Sequence, residues 1–320
     1  MFNHAAAIGA DIGRYSIRIA VVKMDGGIIA VKSYPLDQKQ TRDYVIGKML
    51  DAIREIRQIV AAGGINPICI GTSAKGFIDH RAGVISGPDQ GIEGWINVPY
   101  VKIIKQETGL PAFIDNDANM MTIAEHRFGA ARGYSNAVFV ALRTGIGGGI
   151  IINGKLYRGS NNAAGEIGQM IIDFSDGTGD KGIRGSFEYL ASAASVVRRY
   201  NELASQGMEK GKKSCSCKEI FELSYGKSHE AARVVDENAE LVGIGLANII
   251  TVFAPEIIVL GGGMSEAGSN YISMIRRSAL ANSLPDCRRD LKIELAQLGS
   301  AGALLGSAYW SMLSLAGKSI

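Results

Sequence analysis

The chain has 320 residues, 47% apolar and 20% charged, with a net charge of only +3, which predicts two folded domains with sizeable cores. Acids and bases are interspersed: no basic block suits nucleic acid, and the lysines around Lys210 to Lys213 read as a solvated loop. No signal peptide or membrane span is expected, because the longest apolar stretch is broken by Asn248, Pro255 and Glu256, and four cysteines at 69, 215, 217 and 287 suit a reduced, cytoplasmic protein.

In chain order, residues 5–33 predict three strands joined by a glycine turn and an Asp25-Gly26 turn. Apolar residues then fall at helical spacing from Thr41 to the Gly63-Gly64 stop. "PICIGTSAKGFID" predicts a strand running into a glycine-bearing loop, and "GVISGPDQGIEGWINVPY" is loop-like, with one of two tryptophans. "VKIIKQETG" predicts a short helix, and "PAFIDNDANMMTIAEHRFGAARG" a strand, an acidic turn and a helix.

The second half repeats this order. "NAVFVALR", a glycine turn and "GGIIING" form strand–turn–strand, with a type I′ signal at Asn153-Gly154. "SFEYLASAASVVRRYNELAS" and residues 217–253 are helical, "PEIIVLGGGMS" is a buried strand ending on glycines, and "AGALLGSAYWSMLSLAG" is a closing helix. Two α/β lobes of similar plan with a cleft between them follow, with ligands expected at the strand ends.

Glycine at a strand–turn–strand tip lets backbone N–H groups approach an anion. Either turn alone reads as a tight turn. Both together, with "LGGGMS" as a third cluster, point to a nucleotide site, and Asp11 at the first tip suits Mg²⁺ held through water. No GxxxxGKS motif and no isolated GxGxxG after a first strand supports another phosphate-binding fold. "FIDNDANMM" sets Asn116 and Asp117 where a strand enters a helix. Helix capping and a general base for a sugar hydroxyl are both open there.

"AIGADIG", "IDNDAN", "TGIGGGIIINGKLYRGSNNAAGEIG", "GSFEYLAS" and "IIVLGGGMSEAG" occur in the order that resembles the ROK family of repressors, open reading frames and sugar kinases. The resemblance runs over nearly the whole chain. It implies an α/β fold of the actin-like, hexokinase type: two ribonuclease-H-like lobes with a central cleft, divided as residues 1–117 plus 303–320 (smaller) and 118–302 (larger). It implies transfer of the ATP γ-phosphate to a hexose, with Asp117 as catalytic base. Asn116, Asp117, Glu166, Gln169, Glu188 and Gly76 are the implied sugar contacts. Asp11, Gly13, Arg14, Thr144, Gly145 and Gly261, Gly262 and Gly263 are the implied nucleotide side, with Mg²⁺ at Asp11. Phosphoryl transfer needs positioning and charge neutralisation, which such parts can supply.

The sequence departs from the family pattern in two places. At the usual zinc ligands stand Gln169, Gly179, Lys181 and Ser186, none a soft ligand for tetrahedral zinc, so no structural zinc is expected; Cys215 and Cys217 are too few and read as a loop or helix start. Arg14 and Tyr15 replace a glycine and a threonine of the phosphate turn, and Arg143 precedes Thr144, which suggests altered nucleotide handling. The expected activity is glucokinase-like, at the 6-hydroxyl. The alternatives are an N-acetylmannosamine, N-acetylglucosamine or fructose kinase, or a degenerate sugar-sensing regulator. The expected partners are a small sugar and further copies of the chain as a dimer or tetramer, not nucleic acid or membrane.

Overall fold

The computed structural model describes residues 5–37, 40–87, 91–174, 183–206 and 215–318. The lysines around Lys210 lie outside this set, as do Gly179 and Lys181. Two compact units divide the chain. Unit 1 is Met1–Ser135, Gly149–Ala164 and Gln297–Ile320, and unit 2 is Asn136–Gly148 and Gly165–Ala296.

Unit 1 is built on strands β1 (Ala6–Ile12), β2 (Ser16–Lys23) and β3 (Ile28–Pro35), followed, after the two-residue β4 (Gln40–Thr41), by helix α1 (Arg42–Ala61) and β5 (Ile70–Ala74). Short strands β6 (Ile78–Asp79), β7 (Val84–Ile85) and β8 (Ile92–Glu93) lead to α2 (Tyr100–Thr108), β9 (Ala112–Asn116) and α3 (Asp117–Phe128). The sheet order is β3-β2-β1-β5-β9. The hairpins make β1 to β3 antiparallel, and the helical crossovers make β1, β5 and β9 parallel.

Alternation divides the sheet's two faces. Ala6, Ile8, Ala10 and Ile12 pack with Ile17, Ile19 and Val21 against α1, whose Val45, Met49, Ala52, Ile53 and Ile56 form one apolar stripe. Trp95, from the stretch read as a loop, is 2% exposed and belongs to this core. The other face carries Ala7, Ala20, Val22 and Cys69, packed with α9 (Gly302–Leu315). There the helix lies so near that a Cβ on Gly71 would collide with the Ser307 carbonyl.

The second sheet has the order β12-β11-β10-β13-β14, formed by β10 (Ala137–Leu142), β11 (Ile146–Ile152), β12 (Lys155–Tyr157), β13 (Ile257–Gly261) and β14 (Lys292–Leu295). It repeats the plan of the first, with an antiparallel β11–β12 hairpin and parallel β10, β13 and β14. Asn153 and Gly154, at φ 50° and 73°, close the hairpin as its sequence predicts. Helices α4 (Phe187–Ala191), α5 (Ala193–Gln206), α6 (Cys217–Ser224), α7 (His229–Phe253) and α8 (Ser269–Ala281) complete unit 2.

The observed division differs from the expected edges at 117/118 and 302/303. Residues 118–135 belong to unit 1 because α3 packs along α9. Residues 217–253 are helical as expected except for a short break: α6 ends at Ser224 with Tyr225 as its C-cap, Gly226 follows at φ 78°, and α7 begins after its Ser228 cap. Among the described residues, no helix is long and apolar enough to cross a membrane.

Candidate active site

Asn116 is the N-cap of α3: its Oδ1 accepts the Ala118 N–H at 2.9 Å, and its Nδ2 donates to the Gly76 carbonyl at 3.2 Å. Asp117 is the first residue of the helix, half-buried, at an end where the helix dipole favours negative charge. Capping therefore falls to the asparagine. Gly76, at φ 93°, and Asn116 meet in unit 1.

Asp11 ends up in a polar row set by sheet register. Arg18 stands opposite it on β2, and Ser73 beside it on β5. Asp11 is 6% exposed; its Oδ2 accepts from Arg18 Nη2 at 2.6 Å and Nε at 3.2 Å, while Oδ1 accepts from Ser73 Oγ at 2.5 Å. Three donor atoms on a buried carboxylate, two of them from one positively charged guanidinium, do not fit a directly bound dication. Oδ1 retains one acceptor position for a water molecule. Among the described residues, no three of His, Cys, Asp and Glu group as metal ligands.

The tip that follows keeps a tight turn despite its bulk. Gly13 N–H donates to the Ser16 carbonyl at 3.0 Å, and Gln40 Nε2 to the Arg14 carbonyl at 2.8 Å. Arg14 and Tyr15 point outward, Tyr15 70% exposed, with the guanidinium 5.6 Å from the ring centroid. Their side chains do not fill the turn.

Unit 2 gathers the other candidates. Glu188, on α4, reaches back to the β10–β11 tip, where its Oε2 accepts the Ile146 N–H at 2.9 Å; Oε1 accepts from Gln169 Nε2 at 3.3 Å. A Cβ on Gly145 would strike that carboxylate. Thr144 is exposed on the same tip, and exposed Glu166 precedes the 3₁₀ turn Ile167–Gln169. Gly262, at φ 91°, lies against the Leu142 carbonyl and the Arg143 side chain, which bars any larger residue. Gly261 lies against the Phe139 ring, and open space surrounds Gly263. The β10–β11 tip and the glycine loop after β13 are thus adjacent, as an anion-binding concavity requires.

Of the positions aligned with zinc ligands, Gln169 contacts Glu188, and Ser186 caps α4 by accepting the Tyr189 N–H at 3.3 Å. Cys217 starts α6 behind a Ser216–Glu219 capping box, and burial pushes its thiol up to about 11. Sequence reasoning missed Arg18, Ser73, Asp115 and Arg158. The first two follow from register, and the last pair joins residues 43 apart.

A family model described as the ROK family matches residues 7–313. The chain is 29% identical over 314 residues to a glucokinase of Halalkalibacterium halodurans, covering 94% of this chain and 93% of that one. It is 28% identical over 308 residues to a xylose repressor of Caldicellulosiruptor bescii, covering 93% of this chain and 76% of the repressor. Among solved structures it is similar to a ROK family glucokinase from Streptomyces griseus in complex with glucose and AMPPNP, at TM-score 0.79 and 29% identity, covering 95% of this chain and 98% of that one. The two sheets and this likeness give the fold class: mixed α/β, with two ribonuclease-H-like units of the actin-like, hexokinase type.

Proposed function

The chain belongs to the ROK family, and from that premise we propose that it transfers the γ-phosphoryl group of ATP to a hexose, most simply the 6-hydroxyl of glucose. The observation that carries this reading is the placement of Asp117: it directly follows the α3 N-cap Asn116, which accepts the Ala118 N–H, and stands half-buried where a sheet strand enters the helix. The glucokinase identity and the glucose and AMPPNP complex of the similar enzyme support the substrate pair.

In this reaction the sugar hydroxyl oxygen forms a bond to the γ-phosphorus as the bond from phosphorus to the β–γ bridging oxygen breaks, and ADP leaves. The hydroxyl proton passes to an Asp117 carboxylate oxygen. The residues assigned to the sugar are Asn116, the Gly76 backbone, Glu166, Gln169 and Glu188, and those assigned to the nucleotide are Asp11, Gly13, Arg14, Thr144, Gly145 and Gly261 to Gly263. Mg²⁺, arriving with the nucleotide, would neutralise phosphate charge, with Asp11 Oδ1 the acceptor for one of its waters. Arg14 and Arg143 add cations beyond the ordinary glycine tips, each suited to a phosphate oxygen. Glutamine at 169 hydrogen-bonds a hydroxyl without titrating.

The test is ADP release by purified protein over a panel of glucose, mannose, fructose, N-acetylglucosamine and N-acetylmannosamine with MgATP. Glucose-dependent ADP release with formation of glucose 6-phosphate is expected. Sugar binding without ADP release on any of the five would favour the regulator reading.

A further inference from the structure

Asp115 precedes the acidic turn, and no candidate ligand role includes it. It is 2% exposed, and both of its carboxylate oxygens accept hydrogen bonds from residues of unit 1. Oδ1 accepts the Asn116 N–H at 2.7 Å and Asn119 Nδ2 at 3.0 Å, and Oδ2 accepts Arg158 Nε at 2.8 Å. Arg158 follows β12 directly, with its guanidinium 5.5 Å from the Trp310 ring centroid. Its Nη2 is buried without a hydrogen-bond partner, as is Nδ1 of His80, whose ring packs edge-on to the same tryptophan at 6.4 Å.

A buried ion pair by itself is weak evidence of anything beyond conformational order. The placement of this one carries more. β9 is the edge strand of its sheet, so the Asn116 N–H finds its acceptor in the Asp115 side chain rather than on a neighbouring strand. That N–H belongs to the residue that caps α3, and the next residue is Asp117. One guanidinium thus holds one carboxylate, which holds the backbone from which the proposed base projects. Arg158 also lies in the chain between the β10–β11 tip and Glu166, in the segment Gly149–Ala164 that returns to unit 1.

We propose that Arg158 is a positioning residue for Asp117, acting through Asp115 and without touching sugar or nucleotide. Lysine cannot reproduce the flat guanidinium stacked on Trp310 while donating through Nε, so it restores the charge but only part of the geometry. The inference rests on the kinase reading, and its test separates the two.

The variants are Arg158→Met, Arg158→Lys, Asp115→Asn and the double Arg158→Met/Asp115→Asn, compared with wild type in steady-state phosphorylation, thermal melting and amide hydrogen exchange. Misaiming a base by a fraction of an ångström to 1 Å predicts a kcat loss of about 10- to 100-fold for Arg158→Met. KM for sugar and ATP should stay within about twofold, and Arg158→Lys should recover part of the loss, because only alignment is altered. The double variant should be no slower than the worse single, since both act through one link. Exchange of the 116–119 amides should rise about tenfold while the rest of the sheet keeps its protection, as expected for loss of a local anchor. Wild-type kcat in folded Arg158→Met, multiplying losses in the double variant, or a rise in sugar KM at unchanged kcat would each overturn the proposal. If wild type phosphorylates no sugar, the kinase reading fails alone, and unchanged exchange at 116–119 still refutes the positioning role. Should Arg158→Met not fold, Arg158→Lys and Asp115→Asn carry the same measurements.

Discussion

A carboxylate as enclosed as Asp11 depends on its partners. Arg18 is itself partly covered, and it also donates to the Ser300 carbonyl at 2.6 Å, so the pair ties β2 to the segment leading into α9. Arg18→Met would leave the charge uncompensated, with an expected loss of about 2–4 kcal/mol in urea unfolding; an unchanged midpoint would show that the pair contributes nothing net. His80 supplies a pH prediction. Burial pushes its imidazole below the ordinary 6.5, and the Arg158 charge adds to the effect. The unfolded chain then takes up the proton more readily than the folded one, so stability is fully present above about pH 6.5 and is lost as pH falls through the depressed folded value. Melting temperature should drop between pH 7.5 and 5, and less so in His80→Gln; equal drops would remove His80 as the cause. Which residues meet these groups was not legible in the sequence. "DIGRYSIR" displays Asp11 and Arg18, but their pairing depends on register, and Arg158 is brought to Asp115 only by tertiary folding. Asn116 as a cap was legible, because capping is a local property.

At the scale of elements, the period-2 and period-3.6 patterns identified β1 to β3, α1, β9, α3, β10, β11, β13 and α9, whose apolar faces are regular. Residues 217–253 are helical as their pattern predicts, apart from the break at residues 225–228, where Gly226 and the Ser228 cap separate α6 from α7. Helix α8 and strand β14 drew no expectation, since β14 is four residues long with a single buried position. The packing of α9 on the sheet shows what small residues accomplish here. Gly71 admits the Ser307 carbonyl, and Gly306 admits the Met120 carbonyl of α3. Gly71→Val should cost about 3 kcal/mol or more, because the neighbours are backbone and cannot rotate away. A melting temperature equal to wild type would mean that α9 can shift outward at no cost.

Over the whole molecule, the same sheet order occurs twice, and each sheet ends a glycine-bearing turn near candidate ligand residues. That duplication was legible because both turns carry their glycines in sequence, whereas the unit edges were not, since α3 owes its membership to contacts with a helix almost 200 residues later. The phosphoryl-transfer proposal turns on Asp117 as the group that takes the sugar hydroxyl's proton. The direct measurement is the turnover of Asp117→Asn with glucose and MgATP, alongside glucose binding by calorimetry and thermal melting. A fall in kcat of at least about a thousandfold is expected, with folding intact and glucose still bound. Turnover within tenfold of wild type in a folded variant would contradict it.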